Sequence, residues 1–288
     1  MVIKMMLNKL FDTAHRVYRI AGRIAIKYSR NPRPSSSPYI TGDGFRNIAD
    51  YVYDNHHPFF VPEKIRKNDI VYIGDSRIKK FLKEFHPDIK ESYILVTHSG
   101  DEDVDEEAAS MMDDKILKWY GINVIISHPK IVPIPLGLGN KHYYVTGIPS
   151  IFKNIAKGNY PKMNRIFYGF TTSTNLKERE PALSAMKRNK FADTIVKWVN
   201  FPNYMKLLAT YKFVASPPGS SVEGHRTWEA MYVGVIPIVK SSITIDYFEK
   251  IGLPLWSVKN WHELDNLSEK DLKDKFEDMG AQMVKEVA

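Results

Sequence analysis

The 288-residue sequence contains no cysteine, and this absence excludes disulfide bonds and thiolate metal sites. Because a chain without cysteine fits a reducing compartment, we expect a cytoplasmic location. No run of eighteen apolar residues occurs, so we expect no membrane-spanning helix. A hydrophobic content of 43% is still normal for a globular protein, and the length suits two domains of ordinary size.

Most of the chain also lacks an excess of charge of one sign. The net charge is +8, but residues 1–36 carry eight basic and one acidic side chain. The remaining residues hold 33 basic and 32 acidic side chains and are therefore about neutral. The pI of about 9.3 suggests a nucleic-acid-binding protein, but a neutral body without interleaved basic and aromatic residues argues against that partner.

The basic N-terminal segment has the apolar spacing of an amphipathic helix. Apolar residues recur at alternating intervals of four and three, at Ile3, Leu7, Leu10, Ala14, Val17, Ala21, Ile24 and Tyr28. Two interpretations stay open: the helix packs on its own domain or a second copy, or residues 1–30 lie on an anionic membrane surface. A stretch rich in Pro, Ser and Gly follows at 31–44 and is typical of a linker. Residues 1–40 are therefore predicted as helix and linker.

Strands and helices then alternate, which predicts an α/β fold with parallel sheets. In residues 41–158 the predicted strands are "DIVYIG", "SYILVTHSG" and "INVIIS", and the predicted helices are "SRIKKFLKEF" and "DDKILKWYG". In residues 159–266 the strands are "NRIFYGF", "YKFVAS" and "VIPIVK", with helices in "LKEREPALSAMKR", "PNYMKLLAT" and "HRTWEAMYVG". We expect two Rossmann-like domains facing a cleft. A charged helix at 267–288 would end the chain and could cross back to the first domain.

The segment at 211–242 has the composition of a site for a negatively charged ligand. Its turn "SPPGSS" follows a strand, where ligands of open α/β sheets collect. Gly219 would let the backbone approach a ligand, while Ser220 and Ser221 would cap the next helix. That helix carries His225, and free N–H groups at its start suit a phosphate. The sequence thus predicts an anion site here.

Two further side chains of this helix extend the prediction. The guanidinium of Arg226 matches phosphate oxygens, and Glu229, one turn later on the same face, could accept two ribose hydroxyls. The plain alternative for the two residues is an ion pair on a solvated helix face. The alternative loses ground because the pair follows a Gly/Ser turn between two strongly apolar strands.

The stretch "YKFVASPPGSSVEGHRTWEAMYVGVIPIV" resembles the donor-binding segment of exostosin-type glycosyltransferases, which have the GT-B fold. The resemblance is firm over residues 203–240 and weaker over 92–185. It implies that Glu229 holds the ribose of a nucleotide sugar, and that Arg226 and Arg179 contact its diphosphate. Arg179 could equally be a surface charge. In GT-B enzymes Arg and helix N-termini meet the diphosphate, so no metal cofactor is required.

The first domain is expected to supply the base for an inverting transfer. In "THSGDEDVDEE" (97–107), Asp101 or His98 could accept a proton from the attacking hydroxyl. A rival interpretation takes the acidic residues 101–103 as the metal-binding triplet of GT-A glycosyltransferases, with a divalent ion. We predict His56 and His57 as loop residues, Trp119 as core and "GLGN" (137–140) as part of the interdomain cleft.

Together the patterns predict a glycosyltransferase that moves a sugar from a nucleotide donor, a UDP-sugar, to a glycan hydroxyl. The enzyme would be soluble or peripheral to a membrane. A non-catalytic module that binds a nucleotide or sugar is the alternative from another class.

Overall fold

The computed structural model describes residues 33–143, 146–195 and 199–286. The amphipathic helix predicted for residues 1–30 lies outside these ranges and stays a prediction. Within the described ranges, no helix combines the length and apolar character needed to cross a bilayer.

The first domain contains a five-stranded parallel sheet whose strands lie side by side in chain order. The strands are β1 (Tyr51–Tyr53), β2 (Ile70–Ile73), β3 (Tyr93–Thr97), β4 (Ile116–Gly121) and β5 (Ile131–Pro133). Their last residues are in register, so the C-terminal ends of all five strands lie level at one edge. Loops that leave different strands are therefore neighbours at that edge.

Short helices and turns cover the first sheet. The α-helices are α1 (Gly42–Asn47), α2 (Ile78–Glu84) and α3 (Glu106–Ser110), and 3-10 turns lie at Pro62–Lys64, His86–Asp88 and Lys141–Tyr143. Phe81 of α2 and Trp119 of β4 are fully buried in the core beside Tyr93. The prediction that Trp119 is a core residue is confirmed, because its exposed fraction is 0%.

Two predicted elements of the first domain are wrong. "DDKILKWYG" forms β4 rather than a helix, because it pairs with β3 on one side and β5 on the other. Tertiary pairing here overrides the local helical pattern. "INVIIS" is not a regular strand: Asn123 has a left-handed φ of 56°, and Val124 makes a single isolated bridge to Val104. A left-handed residue interrupts extended backbone.

The second domain contains another five-stranded parallel sheet, in the order β10-β9-β8-β6-β7. Its strands are β6 (Met163–Phe167), β7 (Ala192–Asp193), β8 (Tyr211–Ala215), β9 (Ile236–Lys240) and β10 (Trp256–Val258). The chain leaves β6 to one side for β7 and then returns to the other side for β8. The switch point, where a crevice opens at the C-terminal ends of the strands, therefore lies between β6 and β8.

In the part of the chain that the structure describes, six α-helices pack around this second sheet. They are α4 (Pro149–Ala156), α5 (Leu176–Arg188), α6 (Phe201–Leu208), α7 (His225–Tyr232), α8 (Ile243–Lys250) and α9 (Glu269–Glu286), with a 3-10 turn at Trp261–Leu264. The two parallel sheets, which face each other across a cleft, confirm the predicted fold class of two α/β domains.

The packing places two segments differently from the predicted domain limits. Helix α4, assigned from sequence to the first domain, buries Phe152 in the core of the second. Helix α9 buries Leu272 and packs Phe276 against Phe213, so this part of the helix packs on the second sheet and does not cross back. Both helices have apolar faces, but the sequence does not say which domain receives them.

The Pro/Ser-rich stretch predicted as a linker is packed where the structure describes it. Ser36, Thr41 and Asp43 are fully buried, and the ring of Tyr39 contacts those of Phe152 and Tyr232. The Thr41 side chain accepts the N–H of Gly44 and begins α1 inside the supposed linker. Composition alone misled here because a cap and a buried carboxylate hold this backbone in place.

Candidate active site

A cleft of about 550 Å³ lies between the C-terminal edge of the first sheet and the second domain. Its first-domain wall consists of the loops after β2 and β3 (residues 75–76 and 98–101) with Gly42, Asn140 and Tyr143. Its second-domain wall consists of Thr174, Arg179, residues 219–221 and residues 223–225. The segment "GLGN" was predicted to lie in the cleft, and two of its residues, Leu138 and Asn140, line the cleft.

The connector of residues 135–138 runs along the floor of the cleft and is held from both sides. Consecutive backbone groups make these contacts: Pro135 O with His98 Nε2 (3.1 Å), Leu136 N with Glu223 Oε1 (2.8 Å), Gly137 O with His225 Nδ1 (2.8 Å) and Leu138 N with Ile40 O (2.9 Å). The two walls are thus joined through one short strip of backbone.

His98, a candidate base, has both ring nitrogens engaged. The N–H of Ser99 donates to Nδ1 at 2.7 Å, so Nε2 carries the proton and donates to the Pro135 carbonyl. Burial lowers the pKa of His98 to about 4, which keeps the ring neutral at pH 7. This geometry gives His98 a structural role on the cleft floor and favours Asp101 as the base.

Asp101 reaches across the cleft from the first-domain wall. Its Oδ1 lies 3.2 Å from Ser220 Oγ and 3.5 Å from Ser221 Oγ. The prediction that these serines cap the next helix is wrong, because α7 begins at His225 and its N-cap is Gly224. The N-cap lies four residues after Ser220 and three after Ser221, so the two hydroxyls face Asp101 instead.

The acidic residues 101–103 do not converge on one point. The carboxylate of Glu102 accepts the N–H groups of Ile78 and Lys79 at 2.7 and 3.1 Å, so it caps α2. Of the three acidic side chains, Asp101 lines the cleft. Across the described ranges, no group of three or more His, Asp or Glu side chains is placed to hold a metal ion. His56 and His57 lie in an exposed loop, as predicted.

Arg179 of α5 is held over the second-domain wall by backbone carbonyls. Its Nε donates to Pro218 O at 2.8 Å and its Nη1 to Thr171 O at 2.9 Å. A Cβ at position 219 would lie 2.8 Å from Nη2, so Gly219 makes room for this guanidinium rather than for a ligand. Arg179 is therefore not a plain surface charge.

Arg226 lies behind the second-domain wall rather than on it. Its Nη2 donates to the carbonyl of Gly169 at 2.6 Å, and its Nε donates to the Tyr204 hydroxyl at 3.2 Å. Because Gly169 follows β6, this side chain spans the switch point between β6 and β8. Burial and the nearby charge of Arg226 both lower the pKa of Arg179. Among the described residues, neither guanidinium forms an ion pair with a carboxylate.

Glu229 is a buried carboxylic acid without a hydrogen-bond partner among the described residues. Its exposed fraction is 6%, and burial raises its pKa to about 7 although Arg226 opposes that shift. Its carboxyl oxygens are not among the fully buried polar atoms that lack a partner, and Glu229 lies behind the residues that line the cleft. The structure brings Glu229 and Arg226 together on one face of α7, as the sequence predicted.

Sequence reasoning missed Glu223, which is 2% exposed on the second-domain wall. It accepts the Leu136 N–H at 2.8 Å and the indole N–H of Trp228 at 2.6 Å. Burial raises its pKa to about 8, so it is mainly protonated at neutral pH. Its partners are a distant backbone group and a neighbouring indole, and the pattern of residue types does not reveal them.

Asp75 and Tyr143 were also missed, and both line the cleft. Asp75, Ser76 and Ser99 have left-handed φ values of 57°, 55° and 59°. Such backbone is uncommon for residues other than glycine and is concentrated at functional sites. A run of Asp and Ser directly after a buried strand is the one signal that could have drawn attention to them.

A buried ionic network supports the first-domain wall from below. Asp43 accepts from Arg33 Nε at 2.6 Å and contacts His142 Nδ1 at 2.5 Å, and its own N–H donates to Asn140 Oδ1 at 2.8 Å. The pair of Arg33 and Asp43 is almost fully buried. These contacts tie the start of α1 to the 3-10 turn that carries Tyr143.

No family model matches the chain, and no curated protein matches it. Similar solved structures include "OtsA apo structure" (TM-score 0.44, 10% identity, 77% of this chain and 70% of that chain). A second is "Trehalose-6-phosphate from E. coli bound with UDP-2-fluoro glucose" (TM-score 0.44, 11% identity, 77% of this chain and 70% of that chain). A third is an alpha,alpha-trehalose-phosphate synthase (UDP-forming) from Burkholderia vietnamiensis (TM-score 0.42, 9% identity, 77% of this chain and 72% of that chain).

Proposed function

We propose that the protein is a glycosyltransferase of the GT-B type that transfers a sugar from a UDP-sugar to a glycan hydroxyl. The observation that carries the proposal is the pair of guanidiniums, Arg179 and Arg226, at the switch point of the second sheet. They lie close enough to lower the pKa of Arg179, and neither has a carboxylate partner among the described residues. With Arg179 on the second-domain wall and Arg226 behind it, and with the pKa of the neighbouring Glu229 raised to about 7 by burial, the pair keeps a positive charge that suits a diphosphate.

The donor would lie along the second-domain wall. Its diphosphate would receive hydrogen bonds from Arg179 and from the free N–H groups at the start of α7, where the helix dipole also favours an anion. The unpartnered carboxyl of Glu229 would accept two ribose hydroxyls. Ser220, Ser221 and His225 would contact the donor from the same wall.

Asp101 would act as the general base in an inverting transfer. It would take the proton from the acceptor hydroxyl while the hydroxyl oxygen attacks the anomeric carbon from the side opposite the leaving group. The bond between the anomeric carbon and the diphosphate oxygen would break, and UDP would leave. Arg179 and the α7 N–H groups would stabilise the charge that develops on the diphosphate.

UDP binding to the full chain tests the donor site. We expect Glu229→Ala to weaken UDP binding by tenfold to over a hundredfold, because a hydrogen bond to a charged group contributes about 1.5–3 kcal/mol. The matched control is Glu277→Ala, which removes a carboxylate that is 63% exposed on α9 and should keep the wild-type affinity. Calorimetry on folded protein that shows equal UDP affinity for all three forms would contradict the assignment.

Product formation separates the enzyme from a non-catalytic binding module. The full chain, incubated with a radiolabelled UDP-sugar and a glycan mixture, should yield labelled glycan. UDP binding without any transfer would favour the module.

Attachment to a membrane and a cytoplasmic location remain part of the proposal. The sequence supports attachment through the apolar stripe and the basic side chains of residues 1–30. Such a segment binds an anionic surface by apolar burial and charge together.

A further inference from the structure

We propose that the first-domain wall is an acceptor subsite for an uncharged sugar, with Tyr143 under the ring and Asp75 on its hydroxyls. The inference deepens the proposed function and rests on it, because the second-domain wall would hold the donor. It also excludes a class of acceptors, namely sugars that carry a phosphate or carboxylate group at this point.

The two walls of the cleft carry charges of opposite sign. The first-domain wall presents the carboxylates of Asp75 and Asp101, and no Lys or Arg among the described residues lines it. The second-domain wall presents Arg179. A phosphorylated acceptor on the first-domain wall would therefore meet two carboxylates, while Arg33, the cation beneath Tyr143 among the described residues, is buried and paired with Asp43. Unfavourable contacts of this kind are how binding sites reject a ligand.

The basic side chains around the first-domain wall are engaged elsewhere. Lys79 donates to Asp105 at 2.8 Å and to Glu107 at 2.7 Å, while Arg46 donates to Asp54 at 2.7 Å. Arg77 lies over the Tyr53 ring, and its Nη2 donates to Asn55 Oδ1 at 2.6 Å. Recruiting one of these groups to an acceptor phosphate would break contacts that the folded domain already makes.

Tyr143 offers an aromatic surface inside the cleft. It is 57% exposed, although it sits in a short 3-10 turn at the base of the first-domain wall. The ring of His142 lies behind it, with the two centroids 4.1 Å apart, and Asp43 holds that histidine from below. The tyrosine is thus supported on one side and exposed on the other. An apolar ring face of this kind suits the C–H groups of a pyranose.

Asp75 is positioned to receive the sugar hydroxyls beside that ring. Its N–H donates to Ser99 O at 3.2 Å, and its Oδ2 accepts the Asn55 N–H at 2.9 Å, which fixes the carboxylate. Its Oδ1 has no partner among the described residues. Burial raises the pKa of Tyr143, the charge of Arg33 lowers it, and the charges of Asp75 and Asp43 raise it, so Asp75 and the tyrosine hydroxyl lie near each other. An aromatic ring can pack on one face of a sugar while a neighbouring carboxylate accepts the hydroxyls of the same sugar.

The experiment is a glycan array that carries neutral, phosphorylated and carboxylated glycans, probed with the full chain with and without saturating UDP. We expect binding to neutral glycans only. Tyr143→Ala and Asp75→Asn should each weaken it about tenfold or more, since the first removes the stacking surface and the second a charge-assisted hydrogen bond. Asn tolerates the left-handed backbone of position 75, so the second variant should fold.

Two control variants sharpen the result. Tyr143→Phe keeps the ring and should retain most of the glycan binding, and Asp114→Asn removes a fully exposed carboxylate outside the cleft and should change nothing. Preference for phosphorylated or carboxylated glycans overturns the inference. So does unchanged binding by Tyr143→Ala and Asp75→Asn, or no glycan binding by a protein that binds UDP. Failure to bind UDP, with neutral glycans still bound through Tyr143 and Asp75, would refute the donor site instead.

Discussion

Replacing Glu223 by Gln should remove a specific part of the pH dependence of stability. Glu223 is 2% exposed and accepts two hydrogen bonds, from Leu136 N and from the Trp228 indole. Burial raises its pKa from 4.5 to about 8 in the folded protein. Because the folded pKa lies above the unfolded one, its stabilising contribution is complete below pH 4.5 and is lost as the pH rises through 8.

The size of the effect follows from the two pKa values. Well below pH 8 the free energy of unfolding falls by about 1.4 kcal/mol per pH unit for one proton. Between pH 7.0 and 8.5 the Glu223 contribution should therefore fall by roughly 1 kcal/mol. Lys162, whose pKa burial lowers to about 8, has the opposite sign in this window, because its stability contribution rises with pH. The pH dependence of the wild-type free energy of unfolding therefore does not report on Glu223 alone.

The difference between wild type and Glu223→Gln isolates the carboxyl group. Gln can accept from one donor but leaves the other unsatisfied, which costs about 1–3 kcal/mol at every pH. Urea unfolding at half-unit steps from pH 7.0 to 8.5 should show the two stabilities converging by roughly 1 kcal/mol. Glu277→Gln, exposed on α9, should run parallel to wild type. A constant gap between wild type and Glu223→Gln would refute the reasoning.

Two further predictions test the proposed chemistry and attachment. Transfer activity should survive EDTA, because Arg179 and the start of α7 would meet the diphosphate; complete loss that manganese restores would favour the acidic residues 101–103 as a metal site. Deleting residues 1–30 should abolish binding to anionic liposomes while UDP affinity stays unchanged, and wild-type binding should weaken but persist as salt rises. If the deletion unfolds the protein, the segment belongs to the core.

The second domain was largely predictable from the sequence because its local patterns agree with its packing. The segment "LKEREPALSAMKR" forms α5 between its first and last letters, and "YKFVA" is β8. In the first domain, β4 resembles a helix because its buried residues Ile116 and Trp119 are three apart, with two exposed residues between them. Pairing with strands on both sides decides the matter, and periodicity over six residues cannot show that.

The candidate site divides in the same way. Arg226 and Glu229 became candidates because charged residues after a Gly/Ser turn conflict with an ordinary core unit, and Arg179 became one through the family resemblance. The surroundings of these three side chains could not be predicted. Gly219 looked like a ligand contact, yet the space beside it is taken by the guanidinium of Arg179. Contacts between residues forty positions apart depend on the strand order of the sheet, and one sequence does not fix that order.

The connector at 135–138 explains why the two walls need to be considered as one site. Gly137 has a left-handed φ of 68°, and a Cβ there would lie 2.3 Å from the Ile40 carbonyl oxygen, so the connector and the start of the first domain are in direct backbone contact. Glu223 and His225 hold the next groups of the same strip from the second domain. Since His98 holds Pro135 from the loop that carries Asp101, three consecutive residues of the connector are fixed by side chains from both walls.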